Sequence, residues 1–314
     1  GRITCLSMTQ PTAIRLEDRG VLRISGPDAR SFLQGIVTND VEQATPRRAI
    51  WSAFLTPQGK YLHDFFLVES PRGEDGGALL LEGERERLPD LMKRLRIYKL
   101  RSKAEIEDLS DSLAVYALVG EDAAAALGLE SEAGAAGPFG GGAAYLDPRL
   151  AAAGGRLLLP AESAEAAIAE AGFDLGSRAD YDLVRIPFGL PDGSRDMEVD
   201  KAILLENGFD ELKGVDWKKG CFLGQELTAR TKYRGLVKKR LLPVAIEGNP
   251  PEGETAILSG GKEVGELRSR VDGWGLALLR LKEIEALPEG GLSLGEAKLT
   301  LKKPGWVAIA KAES

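Results

Sequence analysis

The sequence predicts an α+β chain of two mixed strand-and-helix units, closed by a small all-β unit. Three observations predict it. Strand-like and helix-like segments alternate in two rounds over residues 8–235. Residues 236–314 then carry short β-like runs at regular spacing, with almost no helical periodicity. The length of 314 residues, at 43% hydrophobic and 28% charged, is enough for two or three packed units. The expected boundaries are 8–104 and 105–235 for the α+β units and 236–314 for the β unit, a barrel or sandwich.

The first round opens with residues 15–26 (RLEDRGVLRISG), read as an edge-type strand pair. Residues 26–40 (GPDARSFLQGIVTND) read as a helix. Pro27 suits its first turn, Asp28 its positive end, and Phe32, Leu33, Ile36 and Val37 form an apolar face. Residues 48–56 and 60–69 read as strands joined by a turn at Pro57-Gln58-Gly59, and 77–83 as another strand. Leu88, Leu91, Met92 and Leu95 recur at helical spacing after a start near Pro89.

In the second round, AEIEDLS, LAVYALVG and GRLLLP read as strands, EDAAAALGL and AEAAIAEAG as helices. The glycine- and alanine-rich residues 132–144 read as a loop or linker. Residues 179–191 start as a helix that stops at Pro187. In the last unit Gly260-Gly261 marks a hairpin.

Composition narrows the function classes. No apolar run approaches the roughly 20 residues of a membrane span, and no basic-then-apolar signal segment stands first, so no membrane partner is expected. Two cysteines cannot make a disulfide framework, which points to a reducing, cytoplasmic setting. Residues 1–7, ahead of Met8, read as added or mis-assigned sequence, and Cys5 within them as disordered and without a role. The net charge of −7 argues against general nucleic-acid binding. Residues 218–240 stand apart, with eight basic residues against the single acid Glu226. That stretch is either a solvated face or a site for an anionic partner.

Few residues can carry chemistry. The one histidine, His63, lies in a strand before Asp64, where packing or surface exposure is the commoner role and a ligand pocket the other. One credible cysteine and one histidine supply neither a zinc site nor a cluster site, so no metal ligands are assigned. Gly220 to Gly224 is not a nucleophile elbow, because Phe222 stands midway where the nucleophile belongs. There is no Walker loop or dinucleotide fingerprint. Cys221 remains, set in KKGCFLGQE. Lys218, Lys219 and a helix start favour its thiolate, the glycines allow a tight turn, and Gln225 and Glu226 can hydrogen-bond a ligand. Buried packing is the competing role.

Residues 210–235 (DELKGVDWKKGCFLGQELTARTKYRG) resemble the signature of the YgfZ-type folate-binding proteins, K-G-C-[FY]-x-G-Q-E. Lys219, Gly220, Cys221, Phe222, Gly224, Gln225 and Glu226 match it, as do Ala229, Arg230, Lys232, Arg234 and Gly235 after it. Residues 32–41 (FLQGIVTNDV) and 55–67 (LTPQGKYLHDFFL) resemble other recurrent segments of the family, so the likeness runs from about residue 14 into the last unit.

The family is similar to the aminomethyltransferase (T-protein) of the glycine cleavage system. The resemblance implies an aminomethyltransferase-like folate-binding fold with a C-terminal β-barrel. It implies binding of tetrahydrofolate, including polyglutamylated forms, and a role in assembly or repair of iron–sulfur enzymes. The implied partners are folate and iron–sulfur client or assembly proteins, and the implied state is a monomer. Cys221, with Asp64 and His63, would be the reactive set. Asn39, Asp40, Lys219, Gln225, Glu226, Arg230, Lys232 and Arg234 would hold the folate, the basic side chains taking its glutamate carboxylates.

Two departures separate the chain from the T-protein. His63-Asp64 stands where that family carries Asp-Asp, and Pro187 where its pterin-holding glutamate stands. Asp196, Glu198 and Glu206 are the nearby acids that could substitute. The resemblance therefore leaves two alternatives beside an assembly factor: a tetrahydrofolate-dependent one-carbon transferase, and a non-catalytic scaffold of the same fold.

Overall fold

The computed structural model describes residues 10–285, 287 and 291–308. The expectations for residues 1–7 and Cys5 lie outside them. The chain divides into two compact, interleaved units. The first draws on residues up to Ala29, on Glu42–Ile50 and on Phe66–Tyr181. The second draws on Arg30–Val41, Trp51–Phe65 and everything from Asp182 onward.

In the first unit Thr12–Arg15 pairs parallel with Asp174–Gly176 and antiparallel with Leu113–Val119. Gly155–Pro160, Gly142–Leu146 and Ala136–Phe139 extend that sheet to six strands. Its core is alanine- and leucine-rich, around Leu118, Leu157, Leu159 and Ile168. In a second sheet Arg19–Ser25 lies between Leu79–Glu84 and Glu105–Asp108, and Phe66–Glu69 pairs with Leu79–Glu84.

The expected edge-type strand pair is therefore corrected: its two strands enter different sheets, each at an interior position. Sequence neighbours read as a hairpin because their true partners lie far along the chain. The expected linker at 132–144 is corrected too. It is a hairpin turning at Gly140-Gly141, both at positive φ. Small residues are needed there for close approach. A Cβ on Gly142 would stand 1.9 Å from the Leu158 carbonyl oxygen.

In the second unit residues 51–55 and 61–65 run on neighbouring strands. The turn between them closes with Gly59 N–H on the Thr56 carbonyl at 2.8 Å. The helix Arg178–Arg185 ends two residues before Pro187, as expected. The last part is a closed six-stranded barrel, in the order Lys239–Glu247, Trp274–Arg280, Lys262–Val271, Ala256–Ser259, Leu292–Leu294, Ala297–Leu301. Val244, Ile257, Val264, Leu279, Leu292 and Leu299 fill it. Each contributes about 1.5–3 kcal/mol by leaving water. A five-residue helix, Leu281–Glu285, interrupts the β pattern. No helix among the described residues is long and apolar enough to cross a membrane.

One buried ion network ties the end of the helix Arg178–Arg185, and residues just after it, to this barrel. Arg185, fully buried, donates to Asp182 at 2.7 Å, Asp196 at 2.9 Å, the Leu190 carbonyl at 3.1 Å and Ser269 Oγ at 3.1 Å. Asp196 also accepts from the Ser269 hydroxyl and backbone and from Asp192 N–H. Removing one partner of such a network leaves the other charge uncompensated. Asp196→Ala is expected to cost roughly 3–5 kcal/mol in urea unfolding, whereas an exposed pair such as Lys201–Glu198 is expected to cost about 1 kcal/mol or less.

Candidate functional site

The Cys221 segment is fixed at both ends. On its C-terminal side Gly224, at φ 80, starts the helix Gln225–Tyr233. A Cβ on Gly224 would lie 2.6 Å from the Thr56 carbonyl oxygen, and one on Gly59 2.7 Å from Leu227 Cβ. The 57–59 turn and the helix start therefore touch through two glycines. Phe222 is buried, Leu223 N–H donates to the Gly35 carbonyl at 3.0 Å, and Gln225 N–H to the Phe222 carbonyl at 3.1 Å. Gln225 Oε1 accepts from Phe222 N–H at 3.4 Å.

On the N-terminal side Lys219 Nζ donates to the carbonyls of Val37 at 2.7 Å and Asn39 at 2.6 Å. Between these anchors Gly220, at φ 100, has open space around it. Cys221 is a free, exposed cysteine. Burial lowers the Lys219 pKa to about 8, against the opposing pull of Asp40 and Asp216.

Asn39 is a structural hub. Its Nδ2 donates to the carbonyls of Trp51 at 2.7 Å and Lys213 at 2.8 Å, and its Oδ1 accepts from Asp40 N–H at 2.9 Å. Its carboxamide is thus turned to the protein's own backbone. Asp40 accepts from Gln34 Nε2 at 2.6 Å. Thr38 Oγ1 donates to the Gly214 carbonyl at 2.7 Å and accepts from Ala53 N–H at 2.9 Å. Gly214 leaves room for Phe209 to stack on Trp51, with ring centroids 3.7 Å apart.

His63 and Asp64 both lie buried, on opposite faces of their strand. Asp64 accepts from Trp51 Nε1 at 3.1 Å and Tyr61 OH at 2.6 Å, so each carboxylate oxygen has a donor. His63 packs near Phe54. Hydrogen bonds run from Lys219 through Asn39 and Trp51 to Asp64, but no bond joins His63 or Asp64 to Cys221 among the described residues.

Part of the basic stretch is already neutralised. Lys232 pairs with Asp210 at 3.1 Å and lies 4.4 Å over the Trp217 ring, whose Nε1 also donates to Asp210. Arg230 pairs with Glu226 and Arg240 with Glu211, each at 2.8 Å. Arg234, Lys218 and Lys238 are exposed. Counting charges from residue 218 missed Asp210, Glu211 and Asp216 just upstream. They were the legible signal that the stretch has its own counter-charges.

Of the three acids near Pro187, Asp196 is consumed by Arg185 and Ser269. Glu198 and Glu206 line a cleft of about 240 Å³ with Lys201, Lys239 and Arg268. Burial raises the Glu206 pKa, while Lys239 and Lys60 pull it down. Among the described residues no group of three His, Cys, Asp or Glu side chains could hold a metal ion.

Known proteins bear on this geometry. The family model of the CAF17 C-terminal β-barrel domain matches residues 238–309. The human iron-sulfur cluster assembly factor IBA57, mitochondrial, is 34% identical over 96% of this chain and 89% of its own length. An IBA57 homolog of Neosartorya fischeri is 33% identical over 96% of this chain and 77% of its own. The chain belongs to the IBA57 family of iron–sulfur cluster assembly factors, to which the YgfZ-type proteins are related. The glycine cleavage aminomethyltransferase T of Bartonella henselae superposes at a TM-score of 0.71, over 96% of this chain and 87% of its own, at 15% identity. The fold is therefore aminomethyltransferase-like, with the closed barrel at its C-terminal end.

The cytoplasmic expectation is corrected by the same relatives, which are named as mitochondrial proteins. Cysteine count speaks to redox poise and does not separate one reducing compartment from another.

The Lys219 clamp has a pH signature. A lysine with a folded pKa below its unfolded value binds fewer protons when folded, so stability rises with pH between the two values. Urea midpoints are expected to carry a rising contribution from about pH 8 to 10.5, and Lys219→Met is expected to lose it.

Proposed function

We propose that this chain serves iron–sulfur cluster assembly by presenting Cys221 as a single thiol to a partner protein, with tetrahydrofolate as its small-molecule ligand. The observation that carries the reading is the exposed Cys221 on a segment pinned at both ends. Iron–sulfur clusters are typically held by four thiolates. One thiol is a partial ligand set, so the cluster is cargo whose other ligands come from a client or assembly protein. A fixed loop suits that task, because a donor held in place loses little freedom when the partner docks.

Tetrahydrofolate fits this chain unevenly. For the glutamate tail the donor set is suitable: Arg234, Lys218 and Lys238 are exposed cations, and Arg234 makes no side-chain hydrogen bond among the described residues. Lys219, Arg230 and Lys232 would have to share donors already in use. For the pterin end Pro187 supplies no carboxylate, which leaves Glu198 and Glu206 as acids able to accept from a ring N–H. The one-carbon transferase reading is weaker, because Asp64 is buried with both oxygens occupied.

In cells lacking the protein, Cys221→Ser is expected to fold and accumulate normally yet fail to restore iron–sulfur enzyme activity. Full restoration would end the thiol reading. Calorimetry with reduced polyglutamylated tetrahydrofolate is expected to show binding that Arg234→Glu weakens about tenfold. Absence of heat at high micromolar concentration would remove the folate.

A further inference from the structure

The first unit buries a charged cluster that plays no part in this reading. Arg19, Glu82, Asp147, Arg149 and Arg156 are each at most 7% exposed. Glu82 accepts from Arg19 on one oxygen and from Arg156 Nε at 3.0 Å on the other. Arg149 holds Asp147 through Nε at 3.0 Å and Nη2 at 2.8 Å. Glu82 thus serves two guanidinium groups at once in the interior. A buried charge is strongly disfavoured unless something of opposite sign meets it.

Arg156 is the under-used member. Among the described residues only its Nε–H makes a hydrogen bond. Its Cζ lies over the rings of Phe66, at 5.3 Å, and Tyr181, at 4.9 Å, and Arg149 lies over the same Phe66 ring at 5.0 Å. Aromatic cover leaves the Nη1 and Nη2 hydrogens directed in the guanidinium plane, the geometry that matches two oxygens of one anion.

Tyr145 stands directly opposite Arg156 on the neighbouring antiparallel strand. Its hydroxyl is fully buried and has no hydrogen-bond partner. Burial, then the charge of Glu82, raises its pKa, so it stays a proton donor. A buried orphan hydroxyl beside an under-used guanidinium calls for an occupant.

We propose that Arg156 and Tyr145 form a binding site for one small oxyanion, a carboxylate or a phosphate-type group. The Arg156 fork takes two of its oxygens, the Tyr145 hydroxyl donates a further bond, and the anion brings opposite charge to an arginine that otherwise shares Glu82 with Arg19. Water could fill the same hydrogen bonds but brings no charge to the Arg156 fork. The site involves neither Cys221 nor folate, so either proposal stands if the other falls.

The test is thermal unfolding of protein refolded from urea in chloride, with formate, phosphate or sulfate replacing chloride at fixed ionic strength. At least one oxyanion is expected to raise Tm saturably by about 2–4 °C. Which one does so distinguishes a carboxylate from a phosphate-type ligand. Tyr145→Phe is expected to shift the half-saturating concentration about tenfold upward, and Arg156→Lys to abolish the response. No response beyond chloride, or the same response in Tyr145→Phe as in wild type, overturns the site. If Arg156→Lys does not fold, Tyr145→Phe decides alone. In an empty or water-filled site, losing the orphan hydroxyl leaves Tm equal or higher in every buffer, opposite to the loss expected here in the stabilising anion.

Discussion

Backbone groups of Lys213, Gly214 and Asp216 find their hydrogen-bond partners at Thr38 and Asn39, some 175 residues earlier in the chain, and the site depends on that exchange. Asn39 and Thr38 side chains take the carbonyls of Lys213 and Gly214, and Lys219 returns the favour to the carbonyls of Val37 and Asn39. None of these bonds belongs to a helix or sheet ladder. Buried backbone polar groups must still be satisfied, so an irregular stretch acquires the rigidity normally supplied by secondary structure. Lys213 shows the strain this involves, holding φ 59 without being glycine.

The two buried arginine networks differ in how completely they are used. Around Arg185 every terminal nitrogen has an acceptor, and Asp196 accepts on both oxygens. That network behaves as a closed structural joint to the barrel. Around Arg156 most donors stay unused beside an orphan phenol. Burial and chemistry are nearly equal in the two places. Hydrogen-bond accounting separates a group that holds the fold from one with capacity left for a ligand.

What the sequence revealed tracks how local each signal was. The barrel hairpin at Gly260-Gly261, the helix end before Pro187 and the helix after Gly224 were all legible, because turn and capping chemistry acts over a few residues. The likeness carried by KGCFLGQE also held, because a short motif sits on one loop. Non-local facts were not legible. Residues 132–144 looked like a linker because small residues serve flexibility and tight packing equally. The basic run is a different case, since its counter-charges Asp210 and Glu211 stand just upstream and were open to reading. Nothing local to His63-Asp64 announced that Trp51 and Tyr61 would take both carboxylate oxygens.

Closure of the terminal barrel constrains how this unit can meet other molecules. Each of its six strands has a neighbour on both sides, so among the described residues the barrel has no free edge strand. Docking by addition of a partner's strand is therefore disfavoured here. Recognition on this part of the molecule must be written in side chains, which makes it selective and easy to retune by surface substitution. The same closure shields a β-rich, leucine-filled segment from edge-to-edge association at high local concentration.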